Sequence, residues 1–360
     1  MKILTIIGAR PQFIKAATVS RVIKKIENCT EILVHTGQHY DENMSDIFFD
    51  ELGIPRPDYN LGVGGGSHGA QTGEMLAKIE KVLFKEKPDY LLVYGDTNST
   101  LAGALAASKM HIPVVHVEAG LRSFNMKMPE EQNRILTDHI STLLFTPTDT
   151  GYSNLLKEGI NDSSIYNIGD VMYDAAMYYG KKAQNNTNIL EKLNVKYKDF
   201  ILATIHRAEN TDNIERLTMI FDELSNVAKT KKVILPLHPR TKKSLENINF
   251  NFSESKISFI DPVGYIEMVM LEMSSKLILT DSGGVQKEAF FHKVPCITLR
   301  DETEWVELVE AGFNFLAKDL KSLETLIGEV LSKSFDYDKY SFYGKANAAN
   351  KVIDFLKVNK

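Results

Sequence analysis

The run Thr280-Asp281-Ser282-Gly283-Gly284-Val285-Gln286-Lys287-Glu288 decides the fold. Just ahead of it, Lys276 to Thr280 reads K-L-I-L-T, a short apolar strand. After it, a helical pattern continues to about Phe291. A strand that feeds a glycine-opened helix leaves free backbone N–H groups at the helix start. Those groups, with the helix dipole, favour an anion such as phosphate. Ser282, Gly283 and Gly284 are therefore candidate phosphate ligands. Glu288, on the same young helix, can accept hydrogen bonds from a sugar hydroxyl. A capped helix in any α/β domain reads the same way, so the other strand ends must decide.

Working outward, apolar runs alternate with helical patterns along the chain. Strands are expected at Ile3–Gly8, Glu31–His35, Tyr90–Gly95, Val114–Glu118 and Leu143–Phe145. Five more are expected at Phe200–Thr204, Lys232–Pro236, Ile257–Ile260, Lys276–Thr280 and Pro295–Thr298. Runs apolar on both sides, each followed by a helix, predict parallel sheets covered on both faces. At 360 residues the chain is too long for one small core. The polar stretch Lys181–Lys198 breaks the composition near the middle. The expected architecture is two doubly wound α/β domains, residues 1–170 and 171–343, with a final helix over 344–360 returning to the first.

Open parallel sheets bind ligands beyond the carboxyl ends of their strands. Here those ends carry Gly8-Ala9-Arg10-Pro11, Gly95-Asp96-Thr97 and Glu118-Ala119-Gly120 in the first half. In the second half they carry His206-Arg207, His238-Pro239-Arg240 and Asp281-Ser282-Gly283-Gly284. Six loaded strand ends suggest a cleft between two domains. Arg10 and Lys15 bracket the first helix start, where two cations invite an anion such as a pyrophosphate; a solvated lysine is the plainer reading of Lys15. Asp96, Glu118, Glu130 and Glu131 are carboxylates whose mutual burial would spread their pKa values, as one site running acid and base steps requires. Asp96 alternatively caps a helix, and Glu130 or Glu131 alternatively pairs with Arg134. His206 is a candidate phosphate ligand.

Composition sets limits. A net charge of −5 leaves no footprint for nucleic acid or an anionic membrane. Cys29 and Cys296, the two cysteines, provide neither a disulfide framework nor a cysteine zinc site. His35 and His39 lack a metal-binding context, so no metal is expected. Gly64-Gly65-Gly66-Ser67-His68-Gly69 fits the letters of a dinucleotide fingerprint but follows no clear strand. It reads as a loop before a helix at Ala70–Phe84, and no NAD site is expected. The apolar N-terminal run is short and interrupted by Arg10-Pro11, so it reads as a buried strand and not a signal peptide. No apolar run approaches a membrane span. The cytoplasm is the expected location.

Taken together, G-A-R-P-Q-F-I-K at Gly8–Lys15, V-Y-G-D-T-N-S-T at Val93–Thr100 and H-V-E-A-G-L-R at His116–Arg122 resemble the non-hydrolysing UDP-N-acetylglucosamine 2-epimerase family. So do P-E-E-Q-N-R at Pro129–Arg134, H-R-A-E-N at His206–Asn210 and T-D-S-G-G-V-Q-K-E-A at Thr280–Ala289. The resemblance implies two Rossmann-like domains in a glycosyltransferase-B-like fold, a homodimer, a UDP-sugar substrate and no cofactor. It implies that Arg10 and Lys15 bind the nucleotide's phosphates. Asp96, Glu118 and Glu130 become the acid/base carboxylates, and His206 assists departure of the diphosphate. Ser282, Gly283 and Gly284 then hold phosphate, Glu288 takes the ribose hydroxyls, and the loop Pro262–Met268 faces uracil.

Three departures from the commoner pattern bear on substrate. Ala9 and Gln12 stand where the family usually has threonine and glutamate, and Trp305 stands where it has an arginine expected to touch the ligand. G-A-R-P-Q, M-S-D-I-F-F, G-G-x-H-G and T-E-W-V-E resemble instead the branch acting on UDP-2,3-diacetamido-2,3-dideoxy-glucuronic acid. Gln12 removes a negative charge, which would suit an extra substrate carboxylate. The resemblance also implies an activating second site formed by an Arg-Gln pair. Gly65–Gly69 has no arginine, so hyperbolic kinetics without an activator are expected.

Overall fold

A computed structural model describes residues 1–38 and 52–358. The segment M-S-D-I-F-F and His39 lie outside the described residues. The chain forms two compact units. The first comprises Met1–Ala175 with Ser341–Lys360, and the second Ala176–Tyr340.

Unit 1 is built on the strands β1 (Lys2–Ile7), β2 (Thr30–His35), β3 (Tyr59–Asn60), β4 (Tyr90–Tyr94), β5 (Val114–Val117), β6 (Leu143–Thr146) and β7 (Ile165–Asn167). They form one sheet in the order β3-β2-β1-β4-β5-β6-β7, every pair parallel. Unit 2 is built on β8 (Ile201–Thr204), β9 (Val233–Pro236), β10 (Ser258–Ile260), β11 (Leu277–Thr280), β12 (Cys296–Thr298) and β13 (Asn314–Leu316). Their order is β10-β9-β8-β11-β12-β13, again all parallel. In both sheets the chain steps outward from a central strand, then returns to that strand's other side. Each sheet is thus a Rossmann-type doubly wound sheet with one switch point, at β1/β4 and at β8/β11.

The strands are continuous apolar runs because both faces are covered. Along β11, Leu277 and Leu279 join a cluster with Ile201, Ala203 and Leu224. Ile278 between them joins another, with Leu202 and Ile234. Successive side chains serve opposite layers, as strand geometry requires. β3, β7 and β13 were not expected from the sequence. They are edge or near-edge strands of two or three residues, too short to show a period. The last helix, Ala348–Val358, packs on the first, Arg10–Ile23, and closes unit 1. Its Phe355 ring lies 4.3 Å from Tyr166 and 5.7 Å from Phe145.

Candidate active site

At the unit 1 switch point, Gly8 ends β1 and Pro11 follows in the first turn of the helix Arg10–Ile23. A methyl at Gly8 would overlap the hydroxyls of Ser99 and Thr36, so only glycine fits. Gln12 locks the turn. Its Oε1 accepts from the N–H of Gly8 (2.8 Å) and Ala9 (3.1 Å), and its Nε2 donates to Tyr94 O and Thr100 Oγ1, both at 2.9 Å. The side chain is 1% exposed, and its amide is committed to the ends of β1 and β4. Arg10 opens the helix instead of lying in the loop, and its side chain lies outside the described residues.

The carboxylates separate into distinct roles. Thr97, not Asp96, caps the next helix, Asn98–Lys109, by accepting from Thr100 N–H. Asp96 pairs with Arg134 on the helix Pro129–Ile140 and leaves a third of its side chain open to solvent (33%). Burial raises its carboxyl above the ordinary value, against the pull of Arg134 and Lys15 and with the push of Glu118 and Glu130. Glu118 is buried and forms an ion pair with the buried Lys15. Its backbone is left-handed, with φ +74°, which costs a non-glycine residue about 1–3 kcal/mol. Gly95, on the adjacent strand end, leaves room for the pair: a Cβ there would lie 3.3 Å from Lys15 Nζ and 3.4 Å from Glu118 Oε2.

Of the two helix-start glutamates, Glu131 is the one paired with Arg134, at 2.9 Å. It is buried, and it also accepts from Ser123 N–H (2.9 Å) and Phe124 N–H (2.8 Å). Burial opposes its charge, but these donors and Arg134 outweigh it and hold the carboxyl below the ordinary value. Glu131 is thus committed to the loop, whereas Glu130 is exposed beside Asp96. Arg134 ties both partners together, and sequence reasoning gave it no role beyond a surface pair.

In unit 2, His206 follows β8 and Asp281 follows β11, the two strands flanking the switch point. Asp281 is fully buried and accepts from the backbone N–H of His206 (3.0 Å) and Arg207 (2.9 Å) and from Asn210 Nδ2 (3.0 Å). His206 Nδ1 lies 3.6 Å from Asp281 Oδ1, long for a hydrogen bond, and its ring is 39% exposed. Asp281 holds this turn in place, and its pattern signal was only the letter before Ser282. Ser282 precedes the helix Gly283–Phe291, and its side chain makes no capping hydrogen bond. A Cβ at Gly284 would meet nothing closer than Ser282 Oγ at 3.9 Å, so the helix entrance is open there.

Behind that entrance, Trp305 Nε1 donates to Gly283 O at 2.8 Å, and Lys287 Nζ lies 4.2 Å from the Trp305 ring centroid. Trp305 is 5% exposed, so it is the floor of the Ser282–Gly284 turn. A methyl at Gly283 would overlap Glu304 Oε1. Glu288 is buried on the same helix and accepts from Tyr265 Oη at 3.2 Å. Beyond β9 and β10 lies an open hollow of about 650 Å³ that includes Leu237, Lys242, Asp261 and Pro262. Among the described residues, no group of three or more His, Cys, Asp or Glu side chains could hold a metal ion. No described helix is long and apolar enough to cross a membrane.

The chain as a whole is similar to known proteins. The sequence profile of the UDP-N-acetylglucosamine 2-epimerase family matches residues 21–357. The chain is 54% identical to a UDP-N-acetylglucosamine 2-epimerase homolog of Methanococcus maripaludis, over 99% of each chain. It is 52% identical to the UDP-2,3-diacetamido-2,3-dideoxy-D-glucuronate 2-epimerase of Pseudomonas aeruginosa, again over 99% of each. The crystal structure of Methanocaldococcus jannaschii UDP-GlcNAc 2-epimerase in complex with UDP-GlcNAc and UDP is similar at a TM-score of 0.88 and 47% identity, covering 99% of this chain and 100% of that one. The two doubly wound units are those of the glycosyltransferase-B-like fold. The chain belongs to the UDP-N-acetylglucosamine 2-epimerase family, a family of isomerases.

Proposed function

We propose that the protein inverts C2 of a UDP-N-acetylhexosamine without hydrolysing it. The C2 proton of an aldose ring is not next to a carbonyl, so direct abstraction is too hard. Removal of that proton by one carboxylate, with expulsion of UDP from C1, gives a glycal. Re-addition of UDP to C1, with protonation of C2 from the opposite face, inverts the centre. Asp96, Glu118 and Glu130 carry the proton steps, and His206 stabilises the departing diphosphate. Ser282, Gly283 and Gly284 hold phosphate at the open helix entrance, with Arg10 supplying charge. Lys15 pairs with Glu118, and an ammonium has two further N–H donors for phosphate oxygens. Glu288 takes the ribose hydroxyls, and the loop Pro262–Met268, at the edge of the 650 Å³ hollow, faces uracil. The route needs neither metal nor redox cofactor.

The observation that carries this reading is the gathering of Lys15, Asp96 and Glu118 at one switch point, where Asp96 is raised above its ordinary value. The test is turnover of a UDP-sugar in deuterated water. Deuterium at C2 of both epimers is expected. A glycosyltransferase gives no such exchange, a hydrolysing epimerase releases free sugar, and a silent UDP-sugar sensor binds UDP without turnover; any of these results overturns the proposal.

The substrate we propose is UDP-2,3-diacetamido-2,3-dideoxy-glucuronic acid, in the service of surface polysaccharide synthesis. The similarity to the Pseudomonas enzyme and the shared T-E-W-V-E segment support it. UDP-GlcNAc is the second reading, supported by the similarity to the Methanocaldococcus enzyme. A side-by-side assay in which UDP-GlcNAc turns over faster removes the first choice and leaves the epimerase chemistry standing. We further propose a cytoplasmic homodimer. Sedimentation as a monomer at working concentration, or fractionation with the envelope, contradicts this.

A further inference from the structure

We propose that Asp138 is a positioning residue for Glu118. The proposal rests on the reading of Glu118 as an acid/base carboxylate. Glu118 holds its left-handed conformation between two residues that Asp138 grips at once. On one side is His116, fully buried, with Nδ1 2.7 Å from Asp138 Oδ1 and Nε2 2.8 Å from Gly95 O. Both ring nitrogens thus lie within hydrogen-bond distance of an oxygen. On the other side is Gly120, whose N–H donates to Asp138 Oδ2 at 3.1 Å. Arg122 Nη1 lies 2.7 Å from the same oxygen, and its Nε and Nη2 clamp Glu158 at 2.7 Å each.

Gly120 has φ +80°, and a methyl there would overlap the Gly151 carbonyl, so the turn cannot be redrawn around another residue. The same clamp reaches the second carboxylate. His116 bonds the carbonyl of Gly95, the residue before Asp96, and Asp138 shares its helix with Arg134, the partner of Asp96. Glu130 starts that helix, about two turns before Asp138. One buried carboxylate, 1% exposed, therefore sets the spacing of the side chains assigned to proton transfer without touching substrate.

Truncation of the carboxylate, compared with its isosteric amide, separates positioning from mere support. Asp138→Ala should lower kcat about 10- to 100-fold, the scale of a small misplacement of reacting groups, with KM and UDP affinity within about twofold. Asp138→Asn should lose less. Its amide keeps a polar group facing His116 Nδ1 while its oxygen still accepts from Gly120 and Arg122. In a Glu118→Gln background, both changes should cost at least about fivefold less than in the wild type, because they act chiefly through Glu118. Should Asp138→Ala not fold, Asp138→Asn runs the same cycle.

Native kcat in the Asp138 variants beside a silent Glu118→Gln sinks this proposal alone. So does an equal loss in both backgrounds, or a fall in UDP affinity as large as the fall in kcat. Near-native turnover by Glu118→Gln would sink the acid/base reading itself, and the proposal with it.

Discussion

Replacing Lys15 by methionine is the sharpest perturbation the structure offers. The ammonium faces Glu118 with both side chains 9% exposed, so little water is available to take over either charge. Methionine keeps the length and apolar stem of lysine and removes the charge. Glu118 is then a buried carboxylate without its cation. Breaking a buried pair from one side costs about 3–5 kcal/mol. Water entering over Gly95, which has no side chain to seal the pair, argues for about 3. In a unit of this size each 1 kcal/mol moves the melting temperature by roughly 2–4 °C, so a fall of about 6–12 °C is expected. Glu118→Gln leaves the opposite charge stranded and should also destabilise. The double variant Lys15→Met/Glu118→Gln leaves neither and should recover most of the loss. Calorimetric melts of the four proteins at pH 7 close the cycle. Additive losses, with a coupling energy below about 0.5 kcal/mol, would refute the reasoning that these two groups stabilise one another.

Asp96→Asn should abolish most turnover, by about a hundredfold, yet should not lower the melting temperature at neutral pH. The folded protein raises this carboxyl, so the folded state binds the proton more tightly than the unfolded chain. Stability therefore falls as pH rises from the ordinary carboxylate value, 3.8, through the raised one. The variant escapes that penalty, and a melting advantage that persists below pH 3 contradicts the sign. Trp305→Phe should weaken UDP binding, because the Gly283 carbonyl loses its indole donor and the turn shifts; a lost buried bond is worth about 1–3 kcal/mol. Unchanged UDP affinity by calorimetry would mean that the floor of the turn does not bear on the ligand. Finally, the reverse reaction from the manno-configured product should follow hyperbolic kinetics, since Gly65–Gly69 lacks an arginine clamp; strict dependence on trace UDP-GlcNAc counts against it.

The parallel sheets were legible because doubly covered strands are apolar at every position, and K-L-I-L-T or Y-L-L-V-Y admits few other readings. Strands such as Tyr59–Asn60 and Asn314–Leu316 were not, because two or three residues carry no period and their place is set by a neighbour's edge. At the site, residues at strand ends were legible since topology alone brings them to one end of a sheet. Their partners were harder. Arg134 sits mid-helix and Asp138 in the last turn, among ordinary polar letters, and Asp281 is a single aspartate ahead of a helix. Gln12 was legible only as a missing charge; that its amide, with donor and acceptor together, ties the ends of β1 and β4 needed the structure.

The final helix has a consequence for the order in which the molecule is made. Ala348–Val358 supplies Val352, Ile353 and Leu356, all fully buried, to unit 1, and its first backbone N–H groups are taken by Asp174 at 3.1 and 2.9 Å. Unit 2 is one uninterrupted stretch and has all its parts as soon as Tyr340 leaves the ribosome. Unit 1 starts first but finishes last. Its seven-stranded sheet must wait, with the surface meant for this helix uncovered, through the synthesis of the 165 residues of Ala176–Tyr340. At about 5–20 residues per second that wait is about 8–33 s. A chain ending at Tyr340, once released, would have a complete second unit and a first unit whose helix Arg10–Ile23 is still sticky toward chaperones.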